Sequence, residues 1–319
     1  MEQQANHITD DFFVSIIIPT LNAHSYIKKL LQVLLNQTRV PDEIIVIDSE
    51  SVDETREICK EFTSVKLISI KQLDFDHGKT RDYALQASRG DYVLFLTQDA
   101  LPADNLYVEN ILHPFEDKKV AMVTGRQIAE EGSSYIERLT REFNYPAQSD
   151  VKSKDDIHRL GIKTFFSSNC CAAYRRNAYN AVGGFNYPAL ISEDMIIAAK
   201  FIYADYSVSY CSEAKVIHSH KYSLMQQYSR NFDIAASITM NKDLFKAVSV
   251  QPEGVKMVKF VLAKLLKKGR LFQAFYYMLE CVAKFLGYKH GKNYTKYKKK
   301  TILKKTMHKS FWEGNECVI

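Results

Sequence analysis

Residues 14–22 read Val-Ser-Ile-Ile-Ile-Pro-Thr-Leu-Asn, an almost wholly apolar run that a proline stops after Ile18. A strand apolar on both faces needs cover on both faces, as in a parallel sheet buried between layers of helix. The same pattern returns in Glu43-Ile-Ile-Val-Ile47, in Val65 to Ile70 and in Tyr92 to Leu96. Between these runs the period changes. Ile27, Leu30, Leu31, Leu34 and Leu35 repeat at three and four residues, and Asp53 to Phe62 and Lys79 to Ala87 also read as helices. The alternation predicts an α/β fold with a mostly parallel central sheet and helices on both faces. In such sheets ligands bind beyond the carboxyl ends of the strands. Chemistry is therefore expected after Ile18, Ile47, Ile70 and Leu96.

Residues 126–190 are less regular and hold a polar stretch, Ser149 to Arg159, read as a region facing a second substrate. Ser192-Glu-Asp-Met195 predicts a helix with a serine N-cap that runs to about Tyr203. Tyr206 to His220 alternates as a strand, and from Tyr222 onward the pattern is helical.

The chain has 319 residues, 46% hydrophobic and 25% charged, an ordinary globular composition. Its charge of +6 is unevenly spread. Residues 255–319 hold sixteen basic and three acidic residues, a net of +13; residues 1–254 hold twenty-seven basic and thirty-four acidic, a net of −7. We divide the chain near Gln251-Pro-Glu-Gly254 into a domain at 1–254, with halves at about 13–125 and 126–254, and a basic amphipathic helical tail at 255–319. The stretch MEQQANHITDDFF (1–13) has no basic leader or apolar core and is not read as a signal peptide. No run approaches the roughly 20 apolar residues of a membrane-spanning helix. Six cysteines without a C-x-x-C pair suit reduced thiols in a cytoplasmic protein.

Four loops carry the candidate chemistry. The first is Pro19-Thr-Leu-Asn22 and the second runs from Asp48 to Thr55. Asp48 just past a strand end is read as accepting from a base N–H or a ribose hydroxyl, while Asp53 and Thr55 read as the cap of the next helix. The fourth loop, Leu96-Thr-Gln-Asp-Ala-Leu-Pro102, puts Gln98 and Asp99 at the end of a buried strand. A carboxylate there suits a hard divalent cation that bridges two phosphates, or it caps the following turn. The third segment, Phe75-Asp-His-Gly-Lys-Thr-Arg-Asp82, offers a glycine and a helix start carrying Lys79 and Arg81, which favour an anion such as a diphosphate.

With SIIIPTLN (15–22), VIDSESVDET (46–55), FDHGKTRD (75–82), FLTQDALPAD (95–104), GGF (183–185) and SED (192–194) in this order, the sequence resembles glycosyltransferase family 2 over about residues 13–240. The resemblance implies the GT-A fold and an inverting transfer of a sugar from a nucleotide diphosphate. The pairing of FDHGKTR with TQDA looks most like the bacterial rhamnosyltransferase branch, whose donor is dTDP-L-rhamnose; a UDP-hexose donor is the alternative. Position by position, it implies that Pro19, Thr20, Asn22 and Asp48 line the nucleoside pocket with Gln98 nearby. Gly78 and Arg81 would face the diphosphate, and Asp76 and His77 the sugar. Asp99 matches the metal-binding second aspartate of the family's D-x-D, for Mg2+ or Mn2+, and Thr97 replaces the first. His218 and His220 lie on one side of a strand at spacing i, i+2 and would complete the metal site, the alternative being a polar strand end. Asp194 matches the catalytic base, with Glu193 able to touch the acceptor; capping of the helix dipole by both acids is the plainer reading. Lys221, Tyr222 and Arg230 are placed near the donor phosphates.

The tail mixes lysines with aromatics around Phe272, Phe275, Tyr276 and Tyr277. It reads as adsorbing to an anionic membrane surface in preference to nucleic acid or plain solvent. A saccharide or lipid-linked saccharide acceptor follows, with the protein peripheral on the inner face of the cell membrane. Two rivals are a nucleotidyltransferase, which would need a Gly-rich basic loop after the first strand, and a non-catalytic scaffold of the same fold.

Overall fold

Strand β1 (Val14–Thr20) lies at the centre of the computed structural model, which describes residues 12–315 apart from 247, 249 and 250. Residues 1–11, most of the stretch read as lacking a leader, lie outside the described residues. After β1 come α1 (His24–Leu35), β2 (Glu43–Asp48), α2 (Thr55–Lys60), β3 (Val65–Ser69), α3 (His77–Gln86) and β4 (Tyr92–Leu96). Then follow β5 (Leu101–Pro102), α4 (Tyr107–Leu112), β6 (Val120–Ile128), α5 (Tyr135–Asn144), β7 (Asp150–Lys152) and α6 (Ile157–Leu160). β8 (Cys171–Arg175), α7 (Arg176–Ala181), α8 (Glu193–Tyr203), β9 (Ser207–Ile217), α9 (Leu224–Met240) and α10 (Lys242–Phe245) complete the predicted domain. The tail folds as α11 (Gln251–Lys267), α12 (Leu271–Lys292), α13 (Lys299–Lys305) and α14 (Lys309–Gly314).

One sheet holds the strands in the order β3-β2-β1-β4-β8-β6-β9-β5, with β7 on β9. The first four run parallel; β1, β2 and β4 are buried on both faces, whereas β3 at the edge is only partly buried. Val14, Ile16 and Ile18 point into one core with Ile27, Leu30 and Leu34 of α1, while Ile17 points into the other with Leu85 of α3 and Ile197 of α8. β2 and β4 divide in the same way. Beyond β4 the sheet becomes mixed, because β8 enters antiparallel between β4 and β6. The irregular 126–190 stretch thus holds the antiparallel strands β7 and β8, which are too short to show a period.

The tail is part of the fold. Trp312 of α14 is fully buried with Phe232 of α9, Tyr294 and Ile302, and its indole N–H donates to Thr306 Oγ1 at 3.1 Å. Val261, Leu265, Ala274 and Tyr277 of α11 and α12 close over Ile136 and Leu139 of α5. α12 lies so close to α9 that a Cβ on Gly287 would stand 2.1 Å from the Tyr228 carbonyl oxygen. Truncating the Trp312 side chain should therefore cost about 3–5 kcal/mol of stability. Denaturant unfolding of Trp312→Ala checks this, and a loss below about 1 kcal/mol, the scale of an ordinary surface substitution, would mean that the tail is not part of the core.

Candidate active site

The loops that leave β1, β2 and β4 meet at the carboxyl end of the parallel strands. Gln98 clamps the first of them: its Oε1 accepts from Leu21 N at 2.8 Å and its Nε2 donates to Leu21 O at 3.2 Å. Thr20 Oγ1 donates to Asp48 Oδ1 at 3.0 Å, Ser51 N donates to Asp48 Oδ2 at 3.0 Å, and the Ser51 hydroxyl also reaches Asp48. Asn22, in the left-handed region at φ 51°, accepts from Val52 N at 3.0 Å and donates its own N–H to Ser51 Oγ at 2.8 Å. Thr20, Asn22 and Asp48 are thus brought together as expected, but facing one another. Asp48 has no exposed surface, and its oxygens are spent on shaping the loop pair rather than turned toward a base. Asp53 serves the helix start as predicted, accepting from Thr55 N at 3.0 Å and from His24.

The FDHGKTRD segment also differs in detail. Asp76 caps α3, accepting from Gly78 N at 2.9 Å and Lys79 N at 2.8 Å, and its second oxygen takes Ala189 N at 2.7 Å. Those three bonds occupy the carboxylate, so it holds the 186–189 loop rather than facing a sugar. Gly78 is required by the same loop, since a Cβ there would stand 2.5 Å from the Asn186 carbonyl oxygen. Arg81 is buried: it donates to the His77 carbonyl at 3.0 Å and pairs with Glu193 Oε1 at 3.2 Å, so its charge is turned inward and not toward a diphosphate. His77 packs edge-to-face on His308 from the tail, ring centroids 5.1 Å apart. Burial, outweighing the nearby Glu193 charge, lowers the His77 pKa to about 4.

Asp194 stands in the first turn of α8, behind Ser192, whose φ of 66° is left-handed. Ser192 does not cap the helix with its side chain as predicted; instead its strained backbone sets where the acid pair points. Asp194 Oδ2 accepts from Asn169 N at 3.0 Å and Oδ1 from Met195 N at 2.8 Å. Burial and the like charge of Glu193 outweigh these bonds and raise its pKa to about 7. Glu193 is not available to an acceptor. It is buried, held by Arg81 and by Asn169 Nδ2 at 3.0 Å, and although burial opposes its charge, the Arg81 cation keeps its pKa below the usual carboxylate value. Two adjacent acids are thereby driven apart, one held ionised and the other poised near neutrality, which is the condition for a general base.

Asp99, His218 and His220 come together, with one ligand atom from each lying within 4.8 Å of the others. Asp99 Oδ2 is 3.5 Å from His218 Nε2 and 3.7 Å from His220 Nε2. His218 Nδ1 lies 3.0 Å from Gln127 Oε1, an oxygen that also accepts from Arg141. Arg141 Nη2 also stands 3.3 Å from Nδ1, so Gln127 and Arg141 hold this side of the ring and Nε2 is the nitrogen aimed at the cluster. Burial disfavours the Asp99 charge, yet His218 beside it, with Thr97 and His220, holds the carboxyl at about 2. One carboxylate and two imidazoles fit a divalent cation, and the nitrogen-rich set suits Mn2+ better than the oxygen-preferring Mg2+. Thr97, in place of the first aspartate of D-x-D, donates to Cys170 Sγ at 3.6 Å and adds no carboxylate.

The residues that tie base to cluster were not legible beforehand. Ser168 Oγ accepts from Gln127 Nε2 at 3.0 Å, Asn169 N holds Asp194, and the Cys170 carbonyl accepts from Thr97 N at 3.2 Å. This one turn before β8 touches Gln127, which supports His218, together with Asp194 and the loop that carries Asp99. Its only sequence signal is a polar pair ahead of a small-residue strand. Arg230 lies over the Tyr222 ring at 5.7 Å, and Tyr222 packs against His220. Asp99 and Gln98 line a cavity of about 280 Å³ with Tyr26 and Lys29. A larger one of about 710 Å³ lies between the 183–190 loop and the tail and holds neither Asp194 nor the cluster, so we do not assign it the chemistry.

The family model described as glycosyl transferase family 2 matches residues 15–183, more than half the chain. The O-antigen chain rhamnosyltransferase RfbN of Salmonella typhimurium is 40% identical over 306 residues, covering 94% of this chain and 96% of the relative. WbaN of Salmonella anatum, an O-antigen chain rhamnosyltransferase too, is 40% identical over 303 residues with the same coverage. Among solved structures, the mannosyltransferase PcManGT of Pyrobaculum calidifontis, in complex with GDP-Man and Mn2+, superposes with a TM-score of 0.61 over 91% of this chain and 89% of its own, at 15% identity. That likeness shows the fold, which is GT-A, and the C-terminal helical extension is compatible with it.

Proposed function

Since the chain belongs to glycosyl transferase family 2, we propose that this glycosyltransferase moves L-rhamnose from dTDP-rhamnose, with inversion, onto a cell-surface polysaccharide of the O-antigen kind or its lipid-linked precursor. The observation that carries the proposal is the 40% identity, sustained over 94% of the chain, to O-antigen chain rhamnosyltransferases. A UDP-hexose donor is the second reading, and a non-catalytic scaffold is disfavoured by a base poised at about 7 beside a complete three-ligand cluster.

In the proposed reaction the acceptor hydroxyl oxygen attacks C1 of the donor sugar on the face opposite the diphosphate. The new O–C1 bond forms as the bond from C1 to the phosphate oxygen breaks, and Asp194 takes the hydroxyl proton. Asn169 N and Met195 N fix the carboxylate for that transfer. Asp99, His218 and His220 would hold Mn2+, which supplies charge to offset the departing diphosphate. Arg81 acts by keeping Glu193 ionised, so that Glu193 keeps Asp194 basic. We place the reaction on the inner face of the cell membrane, where a lipid-linked acceptor would be met.

Binding of a nucleotide-sugar panel in the presence of Mn2+ tests the donor. The expected result is tightest binding and acceptor-dependent dTDP release with dTDP-rhamnose. Preference for UDP-galactose or UDP-N-acetylglucosamine would replace the proposed donor with a UDP-hexose.

A further inference from the structure

Helix α12 is apolar on two opposite faces. One face is buried: Ala274 and Tyr277 join a core cluster with α11 and α5, and Gly287 and Gly291 seat the helix against the backbone of α9. The opposite face is a ridge of Phe272, Phe275, Met278, Val282, Phe285 and Leu286, spaced at three and four residues, with Phe272 82% exposed and Phe285 62%. Nine exposed large apolar side chains fall on this one 22-residue helix, a contiguous patch of a kind that marks an interaction surface. Cations bracket it. Lys267, Lys268 and Arg270 precede the ridge, and Lys289 continues it one turn past Phe285.

We propose that the outward face of α12 docks the protein on an anionic lipid surface, its phenylalanines in the headgroup–acyl boundary and its lysines on lipid phosphates. Among the described residues no helix is long and apolar enough to cross a membrane, so the helix lies on the surface. Charge selects lipid over a second copy of the chain. A two-fold interface would set the same face against itself, bringing together two segments of net +13, whereas anionic lipid complements that charge. The placement also suits the chemistry. The helix packs on α9 and α11, α11 packs on α5, and α5 carries Arg141, which bonds Gln127 beside His218. The ridge is thus joined through α11 to the element that supports the metal cluster. This inference rests on the proposed lipid-linked acceptor for its purpose, but not for its measurement.

The test uses full-length protein sedimented with vesicles of phosphatidylglycerol and phosphatidylethanolamine, and with vesicles of phosphatidylcholine alone. Wild type should bind the anionic vesicles and lose that binding as ionic strength rises to ~1 M, where the Debye length falls to ~3 Å. Phe272→Ser, Phe275→Ser and Phe285→Ser combined should weaken partitioning on the order of 100-fold, with thermal unfolding unchanged because the three side chains are exposed. Lys267→Gln with Lys289→Gln should weaken it about tenfold or more on anionic vesicles only. Wild type that ignores anionic vesicles, or a triple variant that binds like wild type, would overturn the proposal. So would a wild-type dimer that binds no vesicles and falls to monomer in the triple variant. Nucleotide-sugar binding measured on the same samples separates the two readings: its absence alongside normal vesicle binding counts against the transferase proposal and leaves the docking face standing.

Discussion

Asp194→Asn is expected to lower kcat by about 10²–10⁴-fold, the range of a lost general base, while leaving donor affinity nearly unchanged. The amide keeps one oxygen, enough for either Asn169 N or Met195 N but not both, and cannot accept the acceptor proton at neutral pH. In the wild type, a base raised to about 7 is protonated and idle in acid, so kcat/KM should rise with pH and level off above about 7. Glu193→Gln removes the like charge that helps to raise Asp194 and releases Arg81 toward it, so the rising limb should move to lower pH. Stability gives an independent readout. An acid whose pKa is raised on folding stabilises the folded state at low pH, and that contribution is lost as pH climbs from the ordinary carboxylate value through about 7. Asp194→Asn removes this titrating group, so its stability should fall less than that of wild type as pH climbs through about 7. Near-normal turnover in the variant would remove Asp194 as the base.

Asp99→Ala should abolish Mn2+ binding detected by calorimetry or by the electron paramagnetic signal of the ion, and donor affinity should fall with it. Only three side chains converge on the site among the described residues, and Asp99 is its one carboxylate. The remaining imidazoles would also lose the anion that offsets the cation's charge. Gln127→Ala tests how the site is oriented. With Gln127 Oε1 removed and Arg141 left beside Nδ1, His218 can turn or change tautomer, and a loss of about 10–100-fold in metal affinity is the expected size. Unchanged Mn2+ titrations in Asp99→Ala would dismiss the cluster as a metal site.

The parallel half of the sheet was legible because a strand buried on both faces must be apolar throughout, and β1, β2 and β4 are. The antiparallel half was not: β8 is five residues long and β7 three, too short for a period to show. At the site, i, i+2 spacing pairs His218 with His220, but grouping them with Asp99 rests on the resemblance to the family and not on any pattern in the chain. The family's residues at 48, 76, 78 and 81 were identified as positions that matter, but their partners lie far along the chain. Gly78 answers to Asn186 and Arg81 to Glu193, and no local pattern reveals such pairings. The tail shows the same limit. Its charge and aromatics are visible in the sequence, but the same composition also contains Trp312 and Tyr277, which are core. Deleting residues 255–319 would therefore unfold much of the molecule, which is why point substitutions on the exposed ridge are the cleaner probe.

Nuclear magnetic resonance of the disaccharide linkage made from dTDP-rhamnose, Mn2+ and a saccharide acceptor tests the central claim most directly. Single inverting displacement with Asp194 as base predicts an anomeric configuration at rhamnose C1 opposite to that of the donor, formed by wild type and not by Asp194→Asn. A product that retains the donor's configuration would contradict it.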